Sequence, residues 1–314
     1  MRDLFPILLV VFVCLALALA VGVGVMMWTS GVSGRTVGTV LIYEIEPSHE
    51  GDLASLRPKL VEAINRRVNT GWGRRADVRL LDDGRLEIGV FGNEPKMVQR
   101  MERLLKYSGT LEFRILANRR DHEELIEQAV EEDSDQLRSE SGKLLAWWVP
   151  VEQNQKQSFE HYMHGDDGRV LPESSREIAI RERQRRGIAT YEVLVVKDPF
   201  DVTGLHLSSS RVGWDARGQP CVNFTFDSTG GRLFGGITTA NLPDPVSGFR
   251  RQLGIILDGY LYSAPGIRST IYDRGEITGT FTQQEVEDLV SVFNSGSLPA
   301  PIRQVEKRAA DQTR

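Results

Sequence analysis

Ala76-Asp77-Val78-Arg79-Leu80-Leu81-Asp82-Asp83-Gly84-Arg85-Leu86-Glu87-Ile88-Gly89-Val90 is the stretch that decides the fold. Ala76, Val78 and Leu80 alternate with polar residues, and Leu86, Ile88 and Val90 alternate again. This period of two marks strands with one buried face. Asp83-Gly84 between them is a hairpin turn, because both residues tolerate positive φ. Upstream, Asp52 to Val68 is a helix with Leu56, Leu60, Ile64 and Val68 on one face, and Pro58 falls near its first turn, where a missing N–H is tolerated. Val40 to Ile45 before it is a β-branched strand. Downstream, Pro95 opens a helix at its first position, with Met97, Met101 and Leu104 or Leu105 as its apolar stripe. Leu111, Phe113 and Ile115 line a further strand. The order β-α-β-β-α-β is the split βαβ, or ferredoxin-like, plan of an α+β protein.

The pattern changes from Arg119 to Gly187. An acidic run (Asp121, Glu123, Glu124, Glu127, Glu131, Glu132, Asp133, Asp135) precedes an arginine run (Arg176, Arg181, Arg183, Arg185, Arg186). One apolar strand, Leu144 to Val151 with Trp147-Trp148, lies between them. This interval reads as a separate charged subdomain, with both runs as solvated faces and the tryptophans as core. A second strand–helix–strand series starts at Val193 to Lys197. Val222, Phe224 and Phe226 alternate, a helix surrounds Phe234, and Leu253 to Leu257 is an apolar strand. Asp258-Gly259 turns the chain. Thr282-Gln283-Gln284-Glu285 is a capping box opening a helix with Val286, Leu289, Val290 and Phe293 inward, stopped at Ser295-Gly296. Residues 306–314 read as a polar, disordered tail.

Residues 4–28 are uncharged and almost wholly apolar. As a helix they reach about 37 Å at roughly 1.5 Å per residue, enough to span a bilayer core of about 30 Å with tilt. Ala18-Leu19-Ala20 could be a signal-peptide cleavage site, but the run continues to Trp28, which favours a retained anchor. Thr29 to Gly38 is a short linker by composition.

Several functions are excluded by composition. The chain has 314 residues, a net charge of -5 and two cysteines. A general nucleic-acid binder needs clustered Lys and Arg in excess. Cys14 in the apolar run and Cys221 cannot make a disulfide scaffold or a Cys-x-x-Cys zinc site. No phosphate-binding loop or Gly-x-Ser-x-Gly elbow occurs. His161-x-x-His164 lacks an acidic partner at metalloprotease spacing, and His206 near Ser208 lacks a third, orienting group. The residues nominate no catalytic set and no cofactor or metal site.

Leu257-Asp258-Gly259-Tyr260-Leu261-Tyr262-Ser263-Ala264-Pro265-Gly266-Ile267 resembles a signature of the SecD family of Sec protein-export subunits. Gly279-Thr280-Phe281-Thr282 through Glu285 is similar to the segment that follows it there. Ser295-Gly296-Ser297-Leu298-Pro299-Ala300-Pro301 is similar to the family's Gly-Ala-Leu-Pro-Ala-Pro segment. Val202-Thr203-Gly204, Phe234 to Asn241, Arg66-Arg67-Val68 and Leu111-Glu112-Phe113-Arg114 also match. The likeness is dense over 199–302 and thinner over 59–117. These motifs are structural: a tight turn at Asp258-Gly259, an edge-favouring Pro265, a helix stop at Gly296 and Pro299.

The resemblance implies a non-enzymatic accessory subunit of the Sec translocase in the bacterial inner membrane. Its main domain faces the periplasm and binds an unfolded exported polypeptide leaving the SecYEG channel, with SecF as a further partner. It implies an anchor and linker over 1–35, a base formed by 36–118 and 199–305, an inserted head over 119–198, and the polar tail. Asn118 and Pro199 are the hinge candidates. Two departures stand out. The Gly-rich stretch after the first helix is replaced by Val40-Leu41-Ile42-Tyr43-Glu44-Ile45-Glu46-Pro47. The family's later membrane helices do not follow Arg314, as in a fragment or a shortened member. The competing reading is an extracytoplasmic scaffold of a membrane complex that never touches substrate.

Overall fold

The computed structural model describes residues 36–46, 52–69, 73–92, 94–165, 169–172, 176–185 and 187–310. The expected anchor over 4–28 lies outside them. No helix among the described residues is long and apolar enough to cross a membrane.

The hairpin is present as β2 (Ala76–Leu80) and β3 (Leu86–Phe91), paired antiparallel from Ala76↔Val90 to Leu80↔Leu86. It joins β1 (Val37–Ile45) in a four-stranded sheet of order β15-β1-β3-β2, where β15 is Ile302–Ala309. Helices α1 (Leu53–Asn69) and α2 (Pro95–Lys106) belong to the same unit. Their apolar residues Leu60, Ile64, Val68, Val98, Met101 and Leu105 share one core with Leu41, Ile88 and Val90. Pro58 sits deeper in α1 than expected, at its sixth residue. There it withdraws one N–H from the helical ladder.

Two expectations fail here. The Leu111–Ile115 strand does not close this sheet; β15 takes the place beside β1, antiparallel from Thr39↔Ala309 to Ile45↔Ile302. The supposed tail from 306 is therefore strand as far as Ala309. Apart from Ile302, β15 is exposed along its length, so no alternation announces it. Its backbone ladder and ion pairs hold it: Arg303 with Glu44, Lys307 with Glu102, and Arg308 with Glu87.

The larger part of the chain is a second assembly. Strand β4 (Leu111–Leu116) lies inside an eight-stranded sheet with β5 (Gln136–Arg138), β6 (Leu144–Pro150), β7 (Ile180–Arg185), β8 (Ile188–Val196), β9 (Val202–Thr203), β12 (Leu253–Leu257) and β13 (Tyr260–Ser263). The path runs β13-β12-β4-β8-β6-β5, with β7 on β8 and β9 on β4. A three-stranded sheet, β10-β11-β14, is built from Leu207–Trp214, Pro220–Phe226 and Arg274–Ile277. Helices α3 (Arg119–Glu131), α4 (Lys156–Met163), α5 (Ser228–Ala240) and α6 (Gln283–Ser295) complete it. Phe113, Phe224, Phe226 and Phe234 form a cluster of edge-to-face and tilted rings, with centroids 5.1–6.0 Å apart, within the largest core.

Backbone pairing crosses both expected boundaries of the inserted segment 119–198. Ile115 pairs with Val196 and Leu116 with Val195, and the Ala117 N–H donates to Leu194. Asn118 is buried, caps α3 by accepting from the Asp121 N–H, and bridges to Ile178. Pro199 lies in an exposed turn whose Asp201 is gripped by Arg114 at 2.7 Å and Lys197 at 2.7 Å. Asn118 is thus tied by its backbone to Ile178, whereas Pro199 lies in the turn between β8 and β9. The two charge runs are also not independent solvated faces. Arg181 and Arg183 pair with Asp135, Arg181 also with Asp133, and Arg181 and Arg185 with the fully buried Glu192. Arg181 further lies 4.2 Å from the ring of buried Trp148.

Candidate functional site

The chain passes from the four-stranded unit to the larger assembly through residues 107–110 and returns through 296–301. Both crossings meet at one side chain. Helix α1 buries Leu60, Ala63, Ile64, Arg67 and Val68, which places Arg67 on its apolar face at three- and four-residue spacing. Its Nε donates to Ser295 Oγ at 3.0 Å, and Nη2 donates to the Ser108 and Gly296 carbonyls at 3.0 and 2.6 Å. Nη1 donates to the Tyr107 carbonyl and, at 3.5 Å, to that of Leu104. The guanidinium thus satisfies helix-end and loop carbonyls from three segments. Burial pulls it down to about 10, while the charge of Asp258 opposes the shift.

The turn at Asp258-Gly259 is the second half of this joint. Both residues have positive φ, 51° and 79°, as the two-residue hairpin requires. Asp258 Oδ1 accepts from the Thr110 N–H at 2.8 Å and from Ser108 Oγ, and the Asp258 N–H donates to Thr110 at 2.9 Å. Gly109 between them has φ 85° and no room for a side chain: a Cβ would stand 2.8 Å from Val292 Cγ1 and 2.9 Å from Arg67 Nη2. On the returning crossing, Gly296 follows α6 with φ 79° and Leu298 is buried in the smaller core, its N–H donating to Ser108 at 2.6 Å. Pro299 is exposed beside it. Nearby, Arg103 of α2 reaches Asp288 of α6 at 2.6 Å, and Asp288 is itself buried. A cleft of about 170 Å³ opens next to the joint among Thr110, Leu111, Gly204, Leu205, Phe293 and Ser297.

The structure therefore gathers Asp258, Gly259, Gly296 and Leu298 at one place. It sets Ser263, Ala264 and Pro265 along a sheet edge, where the Pro265 carbonyl accepts from the Leu253 N–H at 3.0 Å. Gly279, Phe281 and Thr282 form a third group: Phe281 stacks on Tyr262 at 6.2 Å, and Thr282 and Glu285 complete the capping box. Burial drives the Tyr262 hydroxyl far above the ordinary tyrosine range, with a hydrogen bond to Tyr107 adding to it. Arg67, Ser108 and Ser295 are the joint residues missing from the sequence-derived set. An arginine on the apolar stripe of α1 is the signal that marks the first. His206 Nδ1 lies 3.5 Å from Asp227, and Ser208 Oγ instead donates to the Thr225 carbonyl at 3.1 Å. The two do not form a nucleophile–base pair.

Residues 179–300 match the family model described as SecDF, P1 head subdomain. The chain is related to the SecD protein translocase subunits. It is 42% identical over 115 residues to the SecD subunit of Aquifex aeolicus, covering 37% of this chain and 21% of that protein. It is 32% identical over 148 residues to that of Magnetococcus marinus, covering 47% and 27%. The matched regions span about a quarter of the length of these relatives. The fold resembles the structure of a membrane component SecDF that enhances protein export, with a TM-score of 0.53 at 21% identity over 86% of this chain and all of that one. It also resembles SecDF in its super-membrane-facing form, with a TM-score of 0.54 at 21% identity over 87% of this chain and 30% of that one. The head description falls on 179–300, so it shares only 179–198 with the head expected from sequence.

Proposed function

We propose that this chain is the extracytoplasmic part of a Sec translocase accessory subunit, held at the inner membrane by residues 4–28 with residues 36–314 on the periplasmic side. It takes hold of an unfolded exported polypeptide at the exit of the SecYEG channel, with SecF as its membrane partner, and assists release without nucleotide chemistry or a catalytic residue. The observation that carries this reading is the convergence of family-motif residues on the joint around Arg67, where both chain crossings are clamped. We place the base in the four-stranded unit, residues 36–106 with 302–309, completing its ferredoxin-like plan with β15. The moving part is residues 107–301. Hydrogen bonds from one guanidinium, and the Arg103–Asp288 pair, can be released and remade in water more readily than an apolar core.

The test is photo-crosslinking in the full membrane-anchored chain from Leu205, which is 80% exposed beside the cleft. An adduct with a translocating secretory chain is the expected result. Adducts with neighbouring Sec subunits alone would instead establish a scaffold. Topology is read separately from a cysteine at Val246, which is 94% exposed, since Cys221 is fully buried and silent. Labelling by an impermeant maleimide in intact spheroplasts is expected; labelling only after lysis would reverse the orientation.

A further inference from the structure

The three-stranded sheet leaves one edge with an unusual cover. On β10, the Ser210 N–H donates to Asn294 Oδ1 at 2.8 Å and the Ser210 carbonyl accepts from Asn294 Nδ2 at 2.9 Å. The carboxamide of an α6 residue thus stands where a neighbouring strand would place its own N–H and C=O. Ser210 therefore points its backbone away from β11, to which it is opposite Phe224. Antiparallel strands alternate inward and outward pairs. The register runs without interruption from Ser210↔Phe224 through Val212↔Val222 to Trp214↔Pro220. The N–H and C=O groups of Val212 and Trp214 consequently also point outward, beyond the reach of β11. Their side chains are 38% and 58% exposed.

Three other edges among the described strands are defended. On β14, Phe224↔Gly275 and Val222↔Ile277 turn inward, which leaves Arg274 and Glu276, both exposed and charged, facing out. The β15 edge carries Arg303, Glu306, Lys307 and Arg308. The β13 edge is met by the Glu152 N–H, which donates to Leu261 at 2.9 Å. Charged side chains and covering segments are how edges are kept from pairing with foreign strands. The Val212–Trp214 edge carries two apolar side chains at its outward positions instead.

We infer that Val212–Trp214 is a strand-addition site for an extended, apolar stretch of polypeptide. Four outward backbone groups alternate along it, two donors and two acceptors, and an extended peptide backbone presents the complementary alternation. Asn294 fixes where the added strand ends, because Ser210 is already satisfied. The side chains of Val212 and Trp214 give such a segment an apolar face without reading its sequence, which suits a binder of many unfolded chains. The inference rests on the proposed role in export for the identity of the segment, but not for its backbone chemistry.

The probe is an acetylated, amidated ten-residue peptide of alternating Val and Thr with terminal lysines, added to the full chain in detergent. Amide exchange is expected to slow at least tenfold at Val212 and Trp214, with no change at Ser210. Val212→Pro removes one outward N–H without touching the β11 ladder and should weaken binding at least tenfold, whereas Val212→Thr should change it less than threefold. Should Val212→Pro fail to fold, the same peptide N-methylated at alternate residues tests the point on the unmodified chain, and its binding should fall at least tenfold in one of the two methylation registers. Protection confined to Arg274–Ile277, equal binding of both methylated peptides and the parent, or no binding overturns the inference. If the Leu205 adduct with an exported chain forms while the edge stays unprotected, only this inference falls. If the edge is protected and no adduct forms, the site stands and the export role falls.

Discussion

The four-stranded unit and the larger assembly are held together by different physics. In the larger assembly, β4, β8 and β12 are buried along most of their length and Phe113, Phe224, Phe226 and Phe234 fill the space between layers. In the smaller unit, α1 and α2 pack an ordinary core, but the outer strand β15 buries only Ile302. Between the two regions, charged and polar contacts (Arg67 on carbonyls and Arg103 on Asp288) stand beside an apolar one, since Leu104 of α2 is buried in the larger core. The difference teaches where motion is cheap. Separating apolar layers exposes area at roughly 25 cal/mol per Å². Opening a polar joint exchanges protein hydrogen bonds for water at about 1 kcal/mol each, provided water can enter.

The sharpest way to break the comparison is at Arg67. Arg67→Met should destabilise the protein by about 3 kcal/mol, because five donations vanish and buried carbonyls are left unmatched. Denaturant unfolding is expected to lose cooperativity, with the two regions melting apart. Arg67→Lys should rescue little, since an ammonium cannot span the fork. A single unshifted transition for Arg67→Met would mean that the joint does not couple the regions.

Glu192 tests the larger assembly in the same way. It is fully buried between Arg181 and Arg185, so Glu192→Ala should cost about 2–4 kcal/mol by leaving Arg181 without its buried partner. Here the melt should shift while remaining cooperative. Asp258→Ala removes the acceptor for Thr110 and Ser108 and is expected to cost about 1–2 kcal/mol. Thr282→Ala, which opens the capping box of α6, should cost about 1 kcal/mol. Chemical denaturation curves measure all three, and a cost at Thr282 above that at Asp258 would invert the proposed ranking.

The smallest effect is one of pH. Burial holds the His122 imidazole below its ordinary value of 6.5, with Asp121 opposing. Its folded form resists protonation more than its unfolded form does. The stability linked to it is therefore complete above pH 6.5 and falls as pH drops through the folded value. His122→Gln should flatten the loss of melting temperature between pH 7 and pH 5; an unchanged slope would show that other groups set the acid limb.

Periodicity made most elements legible. The β2–β3 hairpin, α2 opening at Pro95, the α6 capping box and the Asp258-Gly259 turn each follow from short-range chemistry and stand where the residues place them. The motif residues were legible as motifs, but not as a joint. Arg67 is 191 residues from Asp258 in sequence, and nothing local reports that Ser108 lies between them. The charge runs misled for the same reason: each looks solvated alone, and only β7 beside β8 and the end of α3 shows them as partners. Composition changes near 118 and 198, and there the pairing of Ile115 and Leu116 with Val196 and Val195 joins the two sides in one sheet.

The sequence by itself determined the α+β class, the strands and helices with strong alternation or caps, and the turns that need Asp-Gly or Gly. Those depend on neighbours within a few residues, whose sterics and hydrogen bonds are the same in any fold. Only the tertiary structure decided that β15, not β4, closes the four-stranded sheet, that β4 lies inside the eight-stranded one, and that Arg67 clamps both crossings. Strand partnership is settled by hydrogen bonds between segments far apart in the chain, and a strand as exposed as β15 leaves no trace in the pattern of its own side chains.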